Sequence, residues 1–273
     1  MFTDQTIAFI GSGTIAEAMI RGLLEGALVP PERIVAAGPR QARGEELRAR
    51  HGVVATTDNA AAAEAGQIVV LSVKPQVLGT VLPQIRGHLR RSDLLLSIVA
   101  GAPIRRLADG AAHAAVVRAM PNTPAQIGEG ITVWTATAEV PELGRDRARA
   151  ILAALGEEIA VDDERYLDMA TALSGSGPAY VFMVMEAMVD AGVHMGFSRR
   201  VAERLVRRTL RGSVDFAEAS GLHVAELRNQ VTSPGGTTAE ALYHLEKGGL
   251  RTVVSRAIWA AYERSVALGR DEG

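Results

Sequence analysis

The N-terminal stretch TIAFIGSGTIAEAM, residues 6–19, constrains the fold of this chain more than any other segment. Its apolar block, Ile7–Ile10, ends abruptly at Gly11, as is typical of a strand buried on both faces of a parallel sheet. Gly11, Gly13 and Ala16 then follow the G-x-G-x-x-A spacing, which allows a tight turn, room for a pyrophosphate and close helix packing. Because free N–H groups at a helix start attract phosphate, the stretch predicts a dinucleotide site.

Composition narrows the class of protein. The 273 residues suggest about two domains, and a hydrophobic content of 48% is enough to bury a sizeable core. A net charge of −2 with 4% aromatic residues argues against a nucleic-acid surface. The absence of cysteine excludes disulfides and thiolate nucleophiles, and the six histidines have no metal-ligand spacing, so no metal is expected. No signal peptide or membrane span is predicted, so the chain is expected to be cytoplasmic.

The second predicted strand, residues 33–37, bears on the choice of nucleotide. NAD sites usually place a carboxylate after this strand, but here Pro39 and Arg40 follow, with Arg43 just beyond. A guanidinium suits a 2′-phosphate, so the pattern favours NADP over NAD. The alternative is a solvated arginine at a helix start.

The character of the chain changes after residue 162. Only helices are predicted after this residue. Before it, further strands are predicted at residues 53–55, 67–73 and 94–99, from residue 116, and at residues 131–135 and 158–161. The sequence thus predicts an α/β fold, with a Rossmann-like dinucleotide-binding domain at residues 1–162 and an all-α dimerisation domain at residues 163–273. The predicted helix from Pro178 to about residue 191 is apolar on more than one face, which indicates burial in a homodimer.

A second glycine-rich loop, SPGGTT at residues 233–238, precedes another predicted helix. Two glycines let the backbone approach a ligand, and Thr237 or Thr238 is expected to cap the helix. The free N–H groups there would hold a carboxylate. Taken alone, the loop is also consistent with an ordinary capped helix after a turn.

Five segments together resemble one known family, the pyrroline-5-carboxylate reductases. They are IAFIGSGTIAEAMIRGL, SVKPQ, VVRAMPNTPA, LSGSGPAY and TSPGGTT, and residues 227–246 resemble the family signature. The resemblance extends over nearly the whole chain. Thr14 and Ile15 replace a common Asn-Met, and Val224 stands where proline is frequent. The resemblance implies NAD(P)H-dependent hydride transfer to the C=N bond of 1-pyrroline-5-carboxylate, giving L-proline in the last step of proline biosynthesis.

The resemblance also implies roles for individual residues. A homodimer through the C-terminal helices, or a larger assembly of dimers, is expected, with the helices of one subunit completing the site of the other. Thr238 is expected to act near the imine nitrogen as the catalytic residue, and Glu164, Gly235, Gly236 and Thr237 to bind the substrate. The residues expected to bind the cofactor are Gly11, Ser12, Gly13, Thr14, Ile15, Pro39, Arg40, Asn59, Val73, Lys74, Ala100 and Gln230.

Two other functions fit part of the pattern. A β-hydroxyacid dehydrogenase has the same layout, a dinucleotide domain followed by helices. Members of that class are expected to carry a lysine on the long helix of the second domain, but residues 178–196 contain no lysine. A non-catalytic dinucleotide-binding regulator would keep Gly11 and Gly13 without needing the loop at residues 233–238, which is intact.

Overall fold

The structure, a computed structural model, describes residue 2 and residues 4–270 of the chain. The described residues up to 176, together with residues 261–270, form one compact unit, and residues 177–260 form a second. Every strand among the described residues lies in the first unit.

The first unit is built on one sheet. Its strands are β1 (Ile7–Ile10), β2 (Ile34–Ala37), β3 (Val54–Thr56), β4 (Ile68–Leu71), β5 (Leu94–Ser97), β6 (Val116–Met120), β7 (Gly130–Ala136) and β8 (Gly156–Ala160). They lie in the order β3-β2-β1-β4-β5-β6-β7-β8, and every neighbouring pair is parallel except β6 with β7. Each predicted strand is confirmed, with its ends shifted by at most two residues.

Helices cover both faces of this sheet, which explains why its strands are apolar throughout. In β1, Ile7 and Phe9 belong to one buried cluster, whereas Ala8 and Ile10 belong to the cluster on the opposite face. The helices of this unit are α1 (Thr14–Glu25), α2 (Gln41–His51), α3 (Asn59–Ala65), α4 (Leu78–Ile85), α5 (Ile104–Ala111), α6 (Glu142–Ala153) and α7 (Arg165–Ala170).

The second unit is helical, as predicted. Its core is small and centres on Val189, Ala202 and Val206. No helix in the part of the chain that the structure describes has the length and apolar character that a membrane span requires. The helices are α8 (Gly177–His194), α9 (Arg199–Ser220), α10 (Val224–Gln230), α11 (Thr237–Lys247) and α12 (Leu250–Arg270), the last of which continues into the first unit.

The first compact unit extends to residue 176 and includes the end of α12. The reason is that α7 packs on β6 and β7, and that the end of α12 joins it. The Ser265 hydroxyl of α12 donates to Asp168 Oδ1 of α7 at 2.9 Å.

Glu17 ties α1 to α2. Its carboxylate accepts hydrogen bonds from Arg43 and Arg50 at 2.5 Å each and lies 3.0 Å from His51 Nε2. Burial raises the pKa of Glu17, but the hydrogen bonds from Arg43, His51 and Arg50 outweigh burial and lower the pKa from its ordinary 4.5 to about 2. The carboxylate therefore stabilises the fold when it is ionised.

Replacing Glu17 with glutamine should lower the free energy of unfolding at pH 7 by about 2 kcal/mol. Because the folded pKa of about 2 lies below the unfolded value near 4.5, the contribution is complete above pH 4.5 and disappears as the pH falls through 2. Urea unfolding of both proteins at one concentration, at pH 7 and pH 3, measures the difference.

The control for this prediction is Glu25→Gln on the same helix, whose exposed pair with Arg21 at 3.8 Å should contribute little. A stability difference between wild type and Glu17→Gln that stays constant from pH 7 to pH 3 would contradict the prediction.

Candidate functional site

The turn after β1 lies at the carboxyl edge of the sheet, between the ends of β2 and β4. Gly11 has a φ of +104°, and a Cβ atom there would lie 2.6 Å from the Ser72 carbonyl oxygen. The Ser72 N–H donates to the Ile10 carbonyl at 2.9 Å, and the Ser72 hydroxyl donates to the Gly11 carbonyl at 2.7 Å. β1 lies between β2 and β4 in the sheet. Strands β2 and β3 are added on one side of β1 and β4 and β5 on the other, so the strand order reverses at β1. Nucleotides bind at such switch points in open α/β sheets.

The start of α1 faces open space. Gly13 is its N-cap, with no side-chain hydrogen bond at the cap, and a Cβ atom there would meet nothing within 4 Å. The Glu17 N–H donates to the Gly13 carbonyl, so the N–H groups of Thr14, Ile15 and the following residue have no partner inside the helix. Free N–H groups beside open space fit the pyrophosphate of a dinucleotide.

The two arginines after β2 differ in their partners. The Arg43 guanidinium donates to the Ser12 carbonyl at 3.0 Å and to Glu17, so it holds the turn and is not free for a phosphate. Arg40 is exposed, and its side chain makes no ion pair or hydrogen bond with any residue that the structure describes. Of the two, Arg40 is therefore the one available to a 2′-phosphate.

The other residues predicted to bind the cofactor divide between the two units. Asn59 begins α3, and its Nδ2 donates to Gln84 Oε1 at 2.7 Å. Gln230 ends α10, in the second unit. The rest follow strands at the carboxyl edge of the sheet: Pro39 after β2, Val73 and Lys74 after β4, and Ala100 after β5.

The second glycine-rich loop leads into α11. Its N-cap is Gly236, so the prediction that Thr237 or Thr238 caps this helix is wrong; these threonines are its first two residues. A glycine cap has no side chain to satisfy the first N–H groups, which leaves them available to a ligand. The Gly236 N–H donates to the Ser233 carbonyl at 3.0 Å and closes the turn. This helix start suits a carboxylate.

Glu164 belongs to an ionic group that the sequence did not reveal. Its Oε1 accepts hydrogen bonds from the Ile104 N–H at 2.7 Å and from Arg118 Nη1 at 2.6 Å. Arg118 Nη2 in turn donates to Asp168 Oδ1 at 3.3 Å. An arginine inside the apolar strand VVRAM was the available signal, because a buried guanidinium requires carboxylate partners.

Comparisons with known proteins match both halves of the chain. Residues 164–268 match a family model described as pyrroline-5-carboxylate reductase dimerisation, and residues 6–101 match one described as NADP oxidoreductase, coenzyme F420-dependent. A pyrroline-5-carboxylate reductase of Synechocystis is 39% identical over 264 residues, which cover 97% of this chain and 98% of that protein. The chain belongs to the pyrroline-5-carboxylate reductase family.

Solved structures of pyrroline-5-carboxylate reductases share this architecture. The pyrroline carboxylate reductase of Plasmodium falciparum, solved with NADP bound, aligns with a TM-score of 0.89 at 33% identity and covers 97% of this chain and 98% of that one. The enzyme of Coxiella burnetii aligns with a TM-score of 0.88 at 34% identity, over the same shares of the two chains. The predicted fold class is confirmed.

Helix α8 lies within the region that matches the dimerisation family model, and it exposes large apolar side chains. An exposed apolar surface of this kind marks a protein contact. The match to the dimerisation family model confirms the predicted homodimer. The large apolar side chains exposed on α8 are Val181, Phe182, Met183, Val184 and Met188, with Met183 72% exposed.

Replacing Gly13 with alanine should weaken NADPH binding by at least about tenfold, because the new methyl group would occupy the open space beside the helix start. Stability should change by less than about 1 kcal/mol, because that methyl group meets no protein atom within 4 Å. Fluorescence titration with NADPH and thermal unfolding give the two quantities.

The matched comparison is Gly11→Ala, which should lose stability as well, because its Cβ atom would lie 2.6 Å from a backbone oxygen. If the Gly13→Ala protein bound NADPH with wild-type affinity, the pyrophosphate would have to lie elsewhere.

Proposed function

We propose that this chain reduces 1-pyrroline-5-carboxylate to L-proline with a nicotinamide cofactor, using NADPH in preference to NADH. Family membership supports the reductase over a β-hydroxyacid dehydrogenase or a non-catalytic regulator. The structural observation that carries the proposal is the uncapped start of α1 directly after β1, where a Cβ atom at Gly13 would meet nothing within 4 Å.

The reaction depends on the orientation of the two reactants more than on acid catalysis. The basic nitrogen of the cyclic imine enters as an iminium, whose carbon already attracts hydride. Bound NADPH supplies the hydride to the C=N carbon, and the π electrons pass to nitrogen and neutralise its charge. The residues of the chain therefore have to align the two reactants and exclude water.

The carboxyl edge of the sheet is assigned to the cofactor. Gly11 and Ser12 form the turn, and the N–H groups of Gly13, Thr14 and Ile15 hold the pyrophosphate. Arg40, with Pro39 beside it, contacts the adenosine 2′-phosphate, which its unpaired guanidinium supports. The NADP bound to the Plasmodium falciparum relative supports the same choice. The remaining cofactor residues are Asn59, Val73, Lys74, Ala100 and Gln230.

The loop before α11 is assigned to the substrate. Gly235 and Gly236 form the turn, and the N–H groups of Thr237 and Thr238 at the start of the helix hold the substrate carboxylate. The Thr238 hydroxyl contacts the imine nitrogen and sets the orientation of the ring. The absence of a side-chain cap at this helix start supports the assignment.

A larger assembly of dimers is also proposed. Helix α12 supports it with exposed apolar side chains separate from those of α8, among them Val253, Val254 and Trp259. The cytoplasmic location remains a prediction from the sequence.

Oxidation of NADPH and of NADH, followed by absorbance with and without 1-pyrroline-5-carboxylate, tests both activity and cofactor choice. Wild type should oxidise NADPH rapidly and only with substrate. Arg40→Glu should raise the KM for NADPH by about tenfold and change that for NADH little, because only NADPH carries the 2′-phosphate. Arg33→Glu, an exposed arginine at the opposite end of β2, is the control.

Equal losses with the two cofactors would remove Arg40 from the 2′-phosphate site. Absence of oxidation by a folded protein that binds NADPH would overturn the proposed function.

Thr238→Ala should lower kcat/KM for 1-pyrroline-5-carboxylate by about tenfold or more, because it removes one hydrogen bond to the reacting ring. NADPH affinity should not change. Steady-state kinetics measure the effect, and Thr80→Ala on the exposed surface of α4 is the control. Unchanged turnover and substrate affinity would exclude Thr238 from the mechanism.

A further inference from the structure

A buried arginine lies in an apolar strand of the sheet. Arg118 on β6 is 4% exposed, and a guanidinium at this depth is tolerated only when it is paired. Its partners are Glu164 Oε1 at 2.6 Å and Asp168 Oδ1 at 3.3 Å. Glu164 is the N-cap residue of α7, and Asp168 lies one turn later, so Arg118 fixes the start of α7 on the sheet.

Glu164 at the same time caps another helix. Its Oε1 accepts the N–H of Ile104, the first residue of α5, at 2.7 Å. The N-cap residue of α5 is Pro103, which has no side-chain acceptor, so the cap comes from 60 residues further along the chain. A carboxylate at a helix N-terminus is favourable, and Arg118 orients this one.

The loop at residues 99–103, between β5 and α5, is thus fixed at its end by Glu164. A second restraint comes from α12, where the Leu268 side chain lies 3.2 Å from the position of a Gly101 Cβ atom. One turn earlier on α12, the buried Ser265 donates its hydroxyl hydrogen to Asp168 Oδ1 at 2.9 Å. The ionic group of Arg118, Glu164 and Asp168 therefore restrains both the helix after the loop and the helix packed on it.

We propose that Arg118, Glu164 and Asp168 are positioning residues, which hold the 99–103 loop so that Ala100 contacts the nicotinamide end of the cofactor. The proposal rests on the proposed function. In the proposed site the adenosine lies on the β2 side of β1. The loop after β5 lies on the other side of β1, beyond β4, and therefore faces the nicotinamide half of the cofactor. The family resemblance assigns Glu164 to the substrate, whereas the two donors on its Oε1 assign it to this loop.

Cofactor binding without substrate separates the two roles of Glu164. In a fluorescence titration, Glu164→Ala should weaken NADPH binding by about tenfold, because it leaves the Ile104 N–H without its acceptor and the buried Arg118 with Asp168 as its remaining partner. Glu164→Gln keeps an acceptor for that N–H and should recover most of the affinity. The KM for 1-pyrroline-5-carboxylate at saturating NADPH should stay within about twofold of wild type in both variants.

The control is Asp163→Asn, a neighbouring carboxylate that pairs with Arg165 at 2.6 Å and takes no part in the group. It should change neither quantity. If Glu164→Ala does not fold, Glu164→Gln and Asp168→Asn carry the test, and each should weaken NADPH binding by about threefold.

Unchanged NADPH affinity with a raised KM for the imine would overturn the proposal in favour of substrate binding. Unchanged values for both ligands would overturn it as well. Because NADPH titration needs no turnover, these outcomes are distinct from a failure of wild type to reduce the imine.

Discussion

The close approach of the Gly11 and Ser72 backbones is the contact on which the rest of the cofactor half depends. It joins β1 to β4 at the point where the chain changes direction across the sheet, and no side chain larger than hydrogen fits at Gly11. The same turn leads into the start of α1, which faces open space at Gly13. A substitution that separated these strands would therefore move the phosphate site and the loops beside it together.

Two ionic groups in this protein hold the turns and helices around the proposed cofactor site. The Glu17 group holds α1, α2 and the Ser12 carbonyl, and thereby the turn proposed to hold the pyrophosphate. The Arg118 group does the same for α5, α7 and α12 around the loop after β5. An iminium substrate needs no strong acid, so a positioning role for these groups is chemically sufficient.

The features that could be predicted from the sequence are those with a local cause. The apolar block of β1 and the glycines after it both follow from neighbouring residues. The partners of Arg118 are 46 and 50 residues away, and only the tertiary fold brings them together. The threonine cap failed because Gly236 satisfies the backbone geometry of a cap without any side chain.

A crystal structure of the protein with NADPH tests the central claim most directly. Pyrophosphate oxygens are expected to accept hydrogen bonds from the N–H groups of Gly13, Thr14 and Ile15, with the 2′-phosphate at Arg40 and the nicotinamide against Ala100. A pyrophosphate bound away from the start of α1, or a nicotinamide on the β2 side of β1, would contradict this arrangement.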